Sequence, residues 1–370
     1  MRVQLVDPPS YTPPYDFSLA NALTRAGAEV ELLMSRYLYG PLPPAVGFDV
    51  TQAFYRRATS EHRSTTHRRV LRALEHVPDM ARHRRGATTT DLVHYQWLTL
   101  EALDAFLMAR AAPTVFTSHN VLRRGRGRVR ERAAALVAAR ADAVVAHTEV
   151  SARELVARFG ADPAKVHVIP HGAFDYLTRQ RAEAPLPEDL ARVEGPVILC
   201  FGVLRPYKGV DVLLEAFRGV EGAELWIVGR PWMPIEPLKR AAAAAGGTVR
   251  FVERFVPDSE LPAYMRRADI VVLPYREIDQ SGVLYTALAF EKAMVLSDVG
   301  GFSEVGRRYG AASLVPAGDP DALREALGEL LSCPERRVAL ERHAAAAAAG
   351  PYSWDEIGRR TLALYERLLA

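Results

Sequence analysis

Short apolar runs alternate with helix-period segments almost from end to end of this chain. "VQLVD" (3–7) is followed by "FSLANALTRAG" (17–27), apolar at i, i+3 and i+4, with Gly27 where a helix would stop. "EVELLM", "DLVHYQ", "PTVFTS", "ADAVVAHT" and "KVHVIP" then read as buried strands, separated by amphipathic stretches such as "SARELVARFG". Strands apolar on both faces need cover on both faces, so this alternation specifies parallel sheets between layers of helices. Residues 177–195, polar and with two prolines, interrupt the pattern and read as a linker. Beyond them "PVILCFG", "AELWIVG", "TVRFVE", "DIVVLP", "AMVLSD" and "AASLVP" repeat it, again with helices between. At 370 residues the chain exceeds what one hydrophobic core serves. The expected fold is α/β: two Rossmann-like, doubly wound parallel-sheet domains, 1–176 and 196–350, facing a cleft at the carboxyl ends of their strands. The last segment, 351–370, is an amphipathic helix with Ser353 as N-cap, expected to return to the N-terminal domain.

Charge divides the chain. Residues 1–180 carry 24 Lys+Arg against 17 Asp+Glu, and residues 181–370 carry 23 against 27. The basic excess concentrates in 56–85, with nine Arg, and in "RRGRGRVRER" (123–132), with six. It suits an anionic acceptor or a membrane surface, although a solvated loop and helix start explains the second stretch as well. No recognisable nucleic-acid module accompanies it, so nucleic acid is not an expected partner. Two cysteines, Cys200 and Cys333, give neither a disulfide framework nor metal-ligand spacing. The first residues lead directly into a strand pattern without a signal-peptide outline, and no apolar run has spanning length, so a cytoplasmic protein is expected, with peripheral contact at the inner membrane face as an option.

Two segments of the second half carry chemistry. In "FGVLRPYKGVDVLLEAF" (201–217) a strand ends at Phe201-Gly202 and a helix begins near Gly209, with Arg205 and Lys208 in the turn. A guanidinium and an ammonium so spaced suit a diphosphate; two solvated loop cations are the alternative. In "QSGVLYTALAF" (280–290) Ser281 is placed to cap a helix, and the amides of Gly282, Val283 and Leu284 would then meet an anion. A capped helix without a ligand reads the same way. No Walker Lys-Ser/Thr pair and no G-x-G-x-x-G fingerprint opens either half, which argues against an NTPase or a dinucleotide oxidoreductase.

Taken with "LPYREIDQSGVLYTALAFEKAMVLSDVGGFSEV" and "YSWDEIGRRTLALYERLL", these segments resemble the retaining, nucleotide-sugar-dependent glycosyltransferases of family 4, which have the GT-B fold. The resemblance implies that Lys208 and Arg205 grip the donor diphosphate, although many members place the arginine where Val203 stands here. It implies a donor site including Gly202, Ser281, Gly282, Val283 and Leu284, with Gly300 and Gly301 as its floor. The family's two glutamates, eight positions apart, fall on Ile278 and Thr286. Glu277 and Asp279 flank the first position, and Thr286 stands where a ribose-holding acid is usual. Glu291 occupies a position where many members carry glycine.

In the first half the usual glycine pair after the first strand is replaced by "PPSYTPPYDFS" (8–18), whose Tyr11, Tyr15 and Asp16 are candidate acceptor contacts; a stiff packing loop is the alternative. "TVFTSHNVL" matches the family's strand ending in His, which makes His119 the catalytic candidate and Asn120 its neighbour. His147 in "AHTEV" is a further acceptor-side candidate or a structural residue. The resulting expectation is retaining transfer of a sugar from a nucleoside-diphosphate sugar to an unknown acceptor hydroxyl, with the donor as co-substrate, no other cofactor and no metal. Another GT-B enzyme, such as a nucleotide-sugar epimerase or hydrolase, and a non-catalytic sugar-nucleotide-binding protein are the competing classes.

Overall fold

A computed structural model describes all residues except 39, 41, 60–64, 122–127 and 181. Six of the seven strands in the first sheet follow from apolar runs: β1 (Arg2–Asp7), β2 (Glu29–Ser35), β4 (Leu92–Tyr95), β5 (Thr114–Ser118), β6 (Ala143–Ala146) and β7 (Val166–Val168). The seventh, β3 (Asp49–Phe54), is a finding that periodicity does not reveal. It is a polar edge strand with little burial, and its register shifts between Met34 and Ser35 of β2. The order is β3-β2-β1-β4-β5-β6-β7, all parallel. Helices α1 (Pro13–Arg25), α2 (Thr65–Gly86), α3 (Glu101–Leu107), α4 (Arg128–Arg140) and α5 (Glu149–Phe159) supply the crossovers.

The second sheet orders β10 (Thr248–Val252), β9 (Glu224–Val228), β8 (Val197–Phe201), β11 (Ile270–Leu273), β12 (Ala293–Ser297) and β13 (Ser313–Val315), again all parallel. Its helices are α6 (Glu188–Ala191), α7 (Val210–Ala216), α8 (Glu236–Ala243), α9 (Leu261–Arg267), α10 (Gly282–Ala289), α11 (Gly300–Tyr309), α12 (Pro320–Ser332) and α13 (Pro334–Ala349). Each sheet buries an apolar cluster on both faces. Val197, Leu199 and Val271 point to one side of the second sheet while Ile198, Cys200 and Val272 point to the other, the period of two that a doubly covered strand shows.

Contacts divide the chain into Met1–Gly172 with Ser353–Ala370, and Ala173–Tyr352. The last helix, α14 (Trp354–Leu369), therefore belongs to the first unit. It buries Trp354, Ile357, Leu364 and Tyr365 with α1, and Gly358 sits where a Cβ would meet the Ala22 carbonyl oxygen at 2.8 Å. Ser353 caps it through Oγ, which accepts from the Glu356 amide at 3.3 Å. Residues 177–195 are more than a polar connector. They form the short helix α6 and bury Leu177 and Leu190 in the core of the second unit. Two buried leucines, with Leu186 and Val193 packed partly against the same core, do not register as periodicity, yet they fix the segment.

In each sheet the chain reverses direction at one place, between β1 and β4 and between β8 and β11. Loops at the carboxyl ends of those four strands are where an open parallel sheet leaves room for a ligand.

Candidate functional site

In the second unit both chemically marked loops flank the reversal point, one after β8 and one after β11. Lys208 ends a 3₁₀ turn (Pro206–Lys208) and is buried, with Nζ 3.5 Å from the Phe201 carbonyl oxygen and 5.0 Å from the centroid of the Tyr275 ring. Gly202, at φ +102°, makes this possible. A Cβ there would lie 2.8 Å from Lys208 Nζ and 3.1 Å from Val283 Cγ2. The ammonium and a side chain from the first turn of α10 thus both crowd the space that a Gly202 side chain would fill. Arg276 holds the loop in shape: its guanidinium donates to both Asp211 carboxylate oxygens, at 2.9 and 2.5 Å, and to the Pro206 carbonyl at 2.9 Å. That pairing draws the Asp211 carboxyl below its ordinary range.

Arg205 stacks at 4.3 Å over Trp232, a residue the sequence reading did not single out. The loops after β8 and β9 run parallel here: the Leu204 amide donates to Arg230 at 3.0 Å and the Trp232 amide to Leu204 at 2.9 Å. Trp232 is exposed, and a tryptophan three residues past "AELWIVG" was the signal that the sequence offered.

The start of α10 departs from expectation in two ways. Ser281 occupies the N-cap position, but its side chain makes no cap bond; Oγ lies 3.4 Å from the Tyr275 hydroxyl. The Leu284 amide is already committed, donating to the Ser281 carbonyl at 3.0 Å, so Gly282 and Val283 carry the amides that precede any in-helix acceptor. Thr286 is buried, and its hydroxyl donates to the Gly282 carbonyl at 2.9 Å. It contributes to the helix rather than presenting a polar group. Glu277 is exposed and Asp279 buried, and the Asp279 carbonyl accepts from the Gly301 amide at 2.9 Å. Glu291 has φ +56°, which accounts for the glycine usual at that place: the backbone there is left-handed.

In the first unit, His119, His147 and His171 gather around Tyr15, with ring centroids 4.8, 5.4 and 4.9 Å from it. Trp97 stacks flat on His119 at 4.7 Å, and Trp354 closes the far side of Tyr15 at 5.2 Å. One hydrogen-bond chain sets the tautomers. His147 Nδ1 faces the Ile169 carbonyl at 3.0 Å, which can only accept, so Nδ1 carries the proton. His147 Nε2 then accepts from His119 Nδ1 at 3.1 Å. His119 Nε2 is left as an acceptor, 3.2 Å from Gln96 Oε1; turning that carboxamide over brings its otherwise unpartnered buried NH₂ to donate to the ring. Burial, and then the neighbouring imidazoles, hold His119 and His171 well below the usual histidine range; burial lowers His147 to about 4. The rings are neutral.

Tyr11 is exposed and packs on Trp97 at 4.5 Å, and Asn120 is exposed beside His119. Asp16 does not face outward as a sugar contact. It is buried in the first turn of α1 beside buried Asp7, the last residue of β1. Burial raises Asp7 to about 6, and burial together with the Asp7 charge raises Asp16 well above its ordinary value. The sequence showed an acid near a strand end, but not that a second acid lies against it. Of the Arg-rich stretch 123–132, residues 123–127 lie outside the described residues. Among the described residues no three His, Cys, Asp or Glu side chains come together to hold a metal ion.

The family model described as glycosyl transferases group 1 matches residues 195–333, and that described as Glycosyltransferase Family 4 matches 17–173. The chain belongs to the family 4 glycosyltransferases. A D-inositol 3-phosphate glycosyltransferase of Jonesia denitrificans is 32% identical over 249 residues, covering 61% of this chain and 57% of the relative. This family 4 chain thus aligns with little more than half of that relative's length. The corresponding protein of Xylanimonas cellulosilytica is 29% identical over 95% of this chain and 90% of its own. Among solved structures, Anabaena HepE in complex with UDP and glucose is similar with a TM-score of 0.73 at 19% identity, covering 99% of this chain and all of that one. The two parallel-sheet domains of this family 4 member are those of the GT-B fold.

Proposed function

We propose that this protein is a retaining glycosyltransferase that takes its sugar from a nucleoside-diphosphate sugar. The observation that carries the reading is that the Lys208 ammonium and Val283 of the first turn of α10 converge on Gly202, 2.8 and 3.1 Å from where its Cβ would stand, at the carboxyl ends of β8 and β11. A diphosphate there meets a cation, a helix N-terminus and a backbone stripped of its side chain. In the reaction the bond between the anomeric carbon and the diphosphate oxygen breaks. A bond to the acceptor oxygen forms on the same face, and the acceptor proton passes to the departing diphosphate. Negative charge grows on the leaving group, and Lys208 with Arg205 offsets it; prepositioned groups of this kind contribute roughly 10²–10³ in rate each. Both cations belong to the protein, so the scheme is written without a metal. The donor is assigned to the second unit and the acceptor hydroxyl to the first, where neutral His119 and exposed Tyr11 and Asn120 are the candidate contacts.

Thr286 favours a second reading, a protein that holds a sugar nucleotide without turning it over, because its hydroxyl proton is given to the Gly282 carbonyl and it cannot accept from both ribose hydroxyls as a carboxylate would. Calorimetry with UDP, GDP, ADP and TDP, followed by a transfer assay using the matching sugar donors with and without EDTA, separates the readings. Binding with transfer supports the enzyme. Binding without transfer to any acceptor supports the second reading, free-sugar release or epimerised donor supports another GT-B enzyme, and an absence of nucleotide binding overturns all three. Loss of transfer in EDTA would overturn the metal-free scheme.

A further inference from the structure

The first unit presents an apolar surface that neither its core nor its histidine cluster uses. On α2, Val70, Leu74 and Val77 are 55%, 67% and 41% exposed, at i, i+4 and i+7, one face of the helix. On α3, Leu103 and Phe106 are exposed, and so is Leu100 just before it. The two helices pack together: His76 Nε2 meets Asp104 Oδ1 at 2.5 Å on their inner sides, and Arg84 of the last turn of α2 donates to the Phe106 carbonyl at 2.6 Å. Arg140 lies 4.3 Å over the Phe106 ring.

Charge is sorted across these helices. Of their four acids, Asp79 and Asp104 are buried, while Glu75, which accepts from the Arg57 and Ala58 amides, and Glu101 are half-buried. Arg69 and Arg85 are exposed, as is Arg82, which pairs with Asp79 at 2.6 Å. Five exposed large apolar side chains on adjoining helices and a sixth at the cap of α3, with exposed arginines and no exposed acid on either helix, make a poor surface to leave in water. It matches what a bilayer offers: an acyl layer for the apolar residues and anionic headgroups for the guanidinium groups.

We propose that the α2–α3 face seats this protein on an anionic lipid bilayer, lying at the interface rather than crossing it. No helix among the described residues is long and apolar enough to cross. This inference stands on the surface alone and does not require the donor reading.

The test is co-sedimentation of the full chain with vesicles of phosphatidylcholine, or of phosphatidylcholine with phosphatidylglycerol. The expected result is binding to the anionic vesicles, weakened by salt, and little to the neutral ones. The variant Val70→Glu/Leu74→Glu/Phe106→Glu should bind by roughly tenfold or more less tightly, with an unchanged melting curve because all three positions are exposed. Val338→Glu, an exposed apolar site in the second unit, should bind as the parent does. If the triple variant misfolds, Arg69→Glu/Arg85→Glu serves instead and should lose the preference for anionic vesicles. Failure of the parent to bind anionic vesicles, or equal binding by the triple variant, overturns the proposal. So does a parent dimer that the triple variant converts to monomer, with no vesicle binding by either; that result assigns the face to a second copy of this chain.

Discussion

The two units share a sheet topology and differ in how they treat charge. In the second, a buried cation stands beside a helix start. In the first, the corresponding region holds neutral imidazoles and a pair of buried acids. Nine of the ten histidines precede residue 172, and the second unit has only His343. A preformed cation is useful to a leaving group that becomes more negative. Neutral rings locked by the Ile169 carbonyl and Gln96 can orient a hydroxylated ligand without a net field. The family assignment predicts both units, but the comparison shows that their sites fail in different ways.

The largest expected break is Lys208→Ala. It should lower kcat/KM for the donor by roughly 10²–10³, with the melting temperature little changed. Near-native transfer would separate the ammonium from the diphosphate.

Acid should act on the other unit. Burial holds His83 and His147 near pKa 4 and, with neighbouring His147, His94 near 3; His119 and His171 are also lowered. Below pH 6.5 the unfolded chain takes up protons that these rings refuse. Their contribution to stability is therefore fully present above 6.5 and is lost as pH falls toward about 4. Asp7 and Asp16 work with the opposite sign, since raised carboxyls favour the fold at low pH and lose that contribution as pH rises through about 6 for Asp7. Five histidines outnumber two acids, so the first unit should melt before the second between pH 6 and 4. Tryptophan fluorescence alongside calorimetry would resolve two transitions; one transition at every pH would remove the distinction. Asp16→Asn should raise the melting temperature at pH 8 by a few degrees, because the amide needs no proton to lie against Asp7.

Gly202→Ala sharpens the comparison inside the second unit. The added methyl meets the flexible end of Lys208, so the fold should lose only about 1–2 kcal/mol, mostly backbone strain, while donor turnover falls by roughly tenfold or more. Equal losses in both would mean that Gly202 serves packing alone. The smallest effect is at Glu291, where glycine should relieve the left-handed backbone and raise stability by about 0.5 kcal/mol. A lower melting temperature would show that the glutamate has a contact of its own.

Among the described residues, twelve of the thirteen strands and the amphipathic last helix were legible in the sequence, because doubly covered strands and an amphipathic helix leave periodic patterns that need no partner to be read; those patterns do not say where that helix docks. Edge strand β3 was not, since a half-solvated edge has no apolar run to announce it. Residues 177–195 looked like a connector, because burial of Leu177 and Leu190 depends on a surface formed elsewhere. The strand-to-helix placement of Arg205, Lys208 and Ser281 was legible in the sequence, whereas the absence of a Ser281 cap bond and the commitment of the Leu284 amide were not. Trp97, Gln96, Tyr275 and Trp232 were not, because each acts through a neighbour distant in the chain. By itself the sequence determined the two sheets, the family and which residue types could meet a diphosphate, all properties of local pattern and spacing. Only the tertiary structure decided that Lys208 is buried over Tyr275, that Asp16 faces Asp7 instead of a ligand, and that His119 is held neutral in one tautomer. Burial and hydrogen-bond direction are properties of surroundings, and no single segment contains its own surroundings.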